Sequence, residues 1–125
     1  MTLVAIAAGG ALGALARHLL NHAVHRRYGI DPFPIGIFVV NVAGSLAIGV
    51  LAGLIASDRV QLSSEWRNFL IVGVLGGFTT FSSFGLDTLT LARSGHVAAA
   101  TWNVAGQVGL GLAAVWAGFL LAHRG

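Results

Sequence analysis

The sequence predicts an all-α integral membrane protein with four transmembrane helices, the third broken at mid-membrane. Three observations carry this expectation. The 125 residues are 56% hydrophobic and 9% charged, with a mean hydropathy of +0.84, whereas a soluble domain is about a quarter charged. Four apolar segments are each long enough to cross a hydrocarbon core, which takes ~20 residues of helix. One of them contains Gly76-Gly77-Phe78-Thr79-Thr80-Phe81-Ser82-Ser83-Phe84. That cluster of glycine, hydroxyl and phenylalanine residues is more than a plain lipid-facing helix needs.

The first segment runs from about Leu3 to Leu20, is uncharged up to Arg17, and continues as helix to His25. Ala14-Leu15-Ala16 resembles a leader cleavage site, but no positive charge precedes the apolar run and the chain downstream is equally apolar, so the segment is expected to be retained. The second, Ile35 to Ala56, has no charge, and its polar side chains are Asn41 and Ser45. The third, about Trp66 to Leu91, holds the cluster above and Asp87. The fourth, Val97 to Ala122, is uncharged and carries Thr101, Asn103 and Gln107. Pro32 and Pro34 stop helix from running through the first connection. Residues 1–125 are thus expected to form one transmembrane domain.

Composition also excludes. Without cysteine there is no disulfide and no thiolate metal site. The high pI reflects few carboxylates. All basic residues are arginines scattered over separate short segments, not the clustered surface of a nucleic-acid binder. No HExxH, GxSxG, cysteine nucleophile or glycine-rich phosphate loop is present, so no enzyme is expected. His18, His22 and His25 share a helix face, as a metal site would. The carboxylate nearest them, Asp31, lies beyond two arginines, and interfacial histidines are the preferred reading.

The arginines bear on orientation. Arg59, Arg67 and Arg124 lie on the side of the amino terminus and second connection. Arg26, Arg27 and Arg93 lie opposite, with Arg17 nearer that end of its helix. Such balance gives the positive-inside rule nothing to act on. Dual topology, with the chain inserting both ways and pairing as an antiparallel homodimer, is the sharper expectation; a single weak bias is the blander one.

Glycines spaced by four, Gly9 and Gly13, Gly49 and Gly53, Gly73 and Gly77, let helices approach closely in lipid. The Gly76-Gly77 pair, followed by hydroxyls, is expected to let the helix unwind, which membranes tolerate only where backbone is buried or faces a cavity. In a helix after the pair, Thr80, Ser83, Asp87 and Thr90 form one polar stripe and Phe81 and Phe84 an adjacent aromatic one. Buried polar side chains usually face a bundle interior or cavity, and ring edges are positive, so the two stripes suit a desolvated anion. Asn41 and Asn103 each lie six residues into parallel segments and are expected at similar depth, with Ser45 and Gln107 one turn on. Their amides supply donors for an anion, or hold the bundle together. Arg17 either snorkels to the interface or concentrates anions at a vestibule.

These residues resemble the small bacterial fluoride channels of the Fluc or CrcB family. The likeness covers nearly the whole chain. It rests on Gly9-Gly10-x-x-Gly13-x-x-x-Arg17, on Asn41-Val42-x-Gly44-Ser45, and most specifically on Gly76 through Phe84. The resemblance implies a dual-topology antiparallel homodimer with two fluoride-selective pores. It implies that Asn41, Phe81 and Phe84 line the fluoride path and that Thr80, Ser83 and Asp87 form a polar track. It also implies a sodium ion at the dimer centre, held by backbone carbonyls at Gly76 and Thr79. Family members often carry tyrosine and serine near Asn103 and Gln107, so altered detail is expected there. The implied function is passive fluoride export across the bacterial inner membrane, with membrane lipid and a second copy as partners and no nucleic acid. Two other classes stay open: a proton-coupled exporter using Asp87, and a structural scaffold.

Overall fold

The computed structural model describes residues 1–125. Helix α1 spans Thr2–Tyr28 and α2 spans Ile35–Ala56. The third apolar stretch is composite. It opens with α3, Ser64–Arg67, runs on as π-helix over Asn68–Leu75, and ends its first part with α4, Gly76–Phe78. After Thr79 and Thr80 it resumes as α5, Phe81–Arg93, and α6 spans Val97–Arg124. Taking Ser64–Arg93 together, four helical segments are long and apolar enough to cross a membrane, and there is no strand.

The helix ends follow local chemistry. The Ser63 side chain accepts from Trp66 N–H at 3.3 Å and starts α3. Helix α1 runs past Arg26 and Arg27 to Tyr28, where the Gly29 N–H donates to His25 O at 2.8 Å. The connection ahead of α2 carries Pro32 and Pro34, and an isolated bridge pairs Ile30 with Phe33. Between α5 and α6 the chain turns at Gly95, whose φ of +82° is disfavoured for a residue with a Cβ.

Only 16 of the 125 residues are buried, and much of the large apolar surface points outward. A soluble protein could not keep such a surface, whereas lipid solvates it. Most backbone groups are satisfied internally: of 100 main-chain hydrogen bonds, 84 lie within helices. Helix association then rests on close approach. Helix α1 lies against the π-helix and α4, and α2 lies against α6. A Cβ on Gly77 would sit 2.6 Å from Gly10 O, and one on Gly13 2.8 Å from Phe78 N. One on Gly118 would sit 2.6 Å from Leu46 O, and one on Gly49 2.9 Å from Val115 Cα. All three four-spaced glycine pairs of the sequence lie at such contacts. The α1 seam reaches Phe78, just before the Thr79–Thr80 junction, and a Cβ on Gly44 of α2 would run into the Thr79 side chain.

Candidate functional site

Thr79 (φ −85°, ψ 155°) and Thr80 (φ −148°, ψ 115°) are extended. The break expected over Gly76 to Thr79 is narrower and lies at its end: Gly76, Gly77 and Phe78 are helical, and Thr79 and Thr80 are the extended residues. Gly77 provides close approach to α1, and the departure from helix falls on the two threonines that follow.

An extended pair leaves peptide groups without helical partners, which must be met elsewhere. Asn41 of α2 meets them. Its Nδ2 donates to Thr80 O at 3.1 Å, and its Oδ1 accepts from Thr80 N–H at 2.9 Å. The side-chain amide thus pairs with a main-chain peptide as a neighbouring strand would. Thr80 also caps the next helix: its Oγ1 accepts from Ser83 N–H at 3.1 Å and shares a 3.2 Å hydrogen bond with Ser82 Oγ. Two carbonyls lose their usual donors as a result. The Thr80 N–H that an unbroken helix would direct to Gly76 O goes to Asn41, and the Ser83 N–H that would reach Thr79 O goes to the Thr80 hydroxyl.

From Asn41 a file of amides continues. Its Nδ2 also donates to Gln107 Oε1 at 2.7 Å, Gln107 Nε2 donates to Asn103 Oδ1 at 2.9 Å, and Asn103 Nδ2 donates to Thr88 Oγ1 at 3.1 Å. Thr88 Oγ1 donates in turn to Phe84 O at 2.8 Å. The file leaves the Thr80 peptide and returns to the chain at Phe84, bracketing the first turn of α5. Asn103 is fully buried and Gln107 nearly so. Asn41 and Asn103, expected at similar depth, do not meet directly: Asn41 meets Gln107, one turn further along α6. The register of α2 on α6 is set by seams such as Gly118 on Leu46 and Val50, not by where each helix begins.

Asn41, Gly76, Thr79, Thr80, Phe81, Phe84 and Gln107 line one cavity of about 350 Å³, whose apolar wall includes Ile48, Ile71, Leu75 and Val108. The Phe81 and Phe84 rings meet edge to face, centroids 5.5 Å apart at 60°. Phe81 is 84% exposed on the single chain. The remaining sequence candidates lie apart. Asp87 lines a smaller cavity of about 120 Å³ with Thr90, Ser94 and His96, and its Oδ2 is buried without a hydrogen bond. The polar stripe is therefore divided between two cavities. Ser83 enters through its N–H on Thr80, and Arg17 lines neither cavity and makes no ion pair. His18 and His22 stack at 6.2 Å, and His25 Nε2 lies 3.5 Å from Asp31 Oδ1. No three His, Asp or Glu side chains are arranged to hold a metal.

Sequence reasoning missed Thr88, which ties Asn103 to α5. Its signal was present: a hydroxyl four residues after Phe84 returns to the carbonyl one turn back.

A sequence profile of the family described as CrcB-like protein, Camphor Resistance (CrcB), matches residues 4–119. A protein of Solibacter usitatus named Fluoride-specific ion channel FluC is 50% identical over 124 residues, covering 99% of this chain and 100% of that protein. Proteins of the same name from Paramagnetospirillum magneticum and Opitutus terrae are 47% and 49% identical, covering 98% and 94% of this chain and 95% and 89% of their own lengths. With a profile match and full-length relatives, this chain belongs to the CrcB-like protein family.

Proposed function

We propose that the protein is a fluoride-selective channel that lets fluoride leave the bacterial cytoplasm passively. The observation that carries the reading is the cavity of about 350 Å³, lined both by the amides of Asn41 and Gln107 and by the edge-packed rings of Phe81 and Phe84. Its full-length relatives bear the name of fluoride channels. A small anion that sheds water needs replacement donors and positive edges, and this wall offers both. The amino-terminal end of α5 lies beside it and adds the positive end of a helix dipole.

The working unit is an antiparallel homodimer of dual topology. Balanced arginines support this, as does the bare Phe81 ring, which a second copy would cover. The third span is a transmembrane helix broken at Thr79–Thr80 near mid-bilayer. Gly76 O and Thr79 O, each without its helical donor, fit a hard cation, and such carbonyls suit sodium. Held there, sodium would supply fixed positive charge at the dimer centre. Asp87 and Ser83 extend the polar track beyond the cavity, and Arg17 serves a vestibule.

The test is fluoride efflux from liposomes containing the purified protein, followed with a fluoride electrode. Rapid loss of fluoride with retention of chloride is expected. Efflux no faster than from empty vesicles, by protein that remains folded and monodisperse, overturns the reading. The unpartnered Asp87 Oδ2 favours one alternative, proton-coupled export; uptake driven by an imposed pH gradient would establish it instead.

A further inference from the structure

Outside the larger cavity, one buried group is left without a partner. Asp87 lines the second cavity, of about 120 Å³, and no protein donor reaches its buried Oδ2. A carboxylate oxygen taken out of water in this way calls for an ion or a polar ligand. Pro32 and Pro34 of the first connection form part of the wall and have no N–H to offer. The remaining polar lining is Thr90, Ser94 and His96.

Local structure brings these four side chains together. Asp87, Thr90 and Ser94 follow i, i+3 and i+7 and share one face at the end of α5. The chain then turns at Gly95, and the His96 N–H donates to Leu91 O at 2.8 Å, which folds His96 back over that face. The Thr88 and Thr101 hydroxyls each return to a carbonyl one turn back. Those of Thr90 and Ser94 make no such bond and remain available to the cavity. Asp87 and His96 form no ion pair. Carboxylate and imidazole therefore face one space without satisfying each other.

This donor set selects a cation. Carboxylate, neutral imidazole and hydroxyl all offer lone pairs, and the one formal charge among them is negative. No arginine lines the cavity. Calcium and magnesium take oxygen ligands, whereas an imidazole beside a carboxylate suits zinc and its neighbours. A water occupies about 30 Å³, so the cavity has room for an ion that keeps water in its other positions. We propose that Asp87 and His96 bind a divalent cation of the zinc class, with the Thr90 and Ser94 hydroxyls beside it. The ion would join the end of α5 to the turn that leads into α6. The site stands apart from the channel reading, because its occupancy is measured as binding and not as flux.

The experiment uses purified, tag-free protein, stripped with a chelator and titrated with zinc in detergent. Binding is read by competition with a fluorescent zinc indicator and by melting temperature. The stacked His18–His22 pair offers zinc a separate surface chelate, so all variants are made with His18→Gln and His22→Gln already in place. In that background, one zinc per chain and a melting temperature that rises with zinc are expected. Even outer partners of a metal ligand are worth about ten- to a hundredfold in affinity. Asp87→Asn and His96→Ala should therefore each raise the half-saturating zinc concentration about tenfold or more. His96 is exposed on its turn, so His96→Ala serves if Asp87→Asn does not fold. Zinc binding that survives His96→Ala unchanged overturns the site, as does a background protein that binds no zinc. Calcium saturating at the same concentrations as zinc overturns the assigned class of ion.

Discussion

Asn41 and Thr80 exchange two hydrogen bonds, side-chain amide against main-chain peptide, at 3.1 and 2.9 Å. One side chain from α2 thereby replaces the helical partners that Thr80 lacks. The extended junction is stable because of a residue 39 positions earlier in the chain, and the cavity wall depends on the same pair.

Asn41→Asp should break this exchange. A carboxylate accepts from Thr80 N–H but donates to neither Thr80 O nor Gln107 Oε1, leaving two acceptors facing negative charge. An unsatisfied buried group costs roughly 1–3 kcal/mol, so the apparent melting temperature in detergent should fall. Fluoride efflux should fall steeply with it; unchanged values of both would refute the role of the pair.

Phe81→Ile and Phe84→Ile keep apolar bulk and remove ring edges that meet at 5.5 Å. Fluoride efflux should drop several-fold or more, since the positive ring edges are removed, the aromatic pair worth about 0.5–1.5 kcal/mol beyond its burial is lost and the path is reshaped. Phe81 is largely exposed on one chain, so its protomer should still fold, which circular dichroism checks.

Thr88→Val leaves Asn103 Nδ2 buried without an acceptor and should destabilise by about 1–3 kcal/mol. Adding Asn103→Leu removes that orphan, so the double variant should lose less than the sum of the two single losses. Thermal unfolding of all four proteins measures the coupling, and simple additivity would show that the file is not connected at this point.

Gly118→Ala places a methyl 2.6 Å from Leu46 O and 2.8 Å from Val50 N. Overpacking of this kind costs about 1–3 kcal/mol. Nothing lies within 4 Å of the corresponding methyl at Gly109, so Gly109→Ala should be neutral or slightly stabilising in the same unfolding assay.

If sodium is held at Gly76 O and Thr79 O, replacing it with N-methylglucamine should lower the melting temperature, because a ligand bound only by the folded state adds stability in proportion to the logarithm of its concentration. A melting temperature independent of sodium would remove the ion from the proposal.

Helix number and extent were legible in the sequence because hydropathy and the two prolines settle them: α2 occupies Ile35–Ala56 as expected, and α1, the third stretch and α6 run only a few residues beyond the expected ends. The cluster Gly76–Phe84 marked the junction, but the expected break began too early, at Gly76, since glycine permits unwinding and equally permits close packing, and the neighbouring backbone of α1 decides between them. Asn41, Phe81 and Phe84 could be grouped by spacing and resemblance. Their link through Gln107 and Asn103 to Thr88 could not, because it depends on how far α6 slides along α2, a quantity no single helix encodes.

The extended pair also gives the chain an order of assembly. A bilayer offers the Thr80 peptide no water to bond, so the third segment can enter at low cost only once Asn41 already resides in the membrane. Because α2 is synthesised first, it does. Gln107 belongs to the last segment, so the Asn41 amide waits with one hydrogen unclaimed until α6 arrives and closes the file. The two acceptors of the Asn41 amide thus belong to later segments, Thr80 O to the third and Gln107 Oε1 to the last.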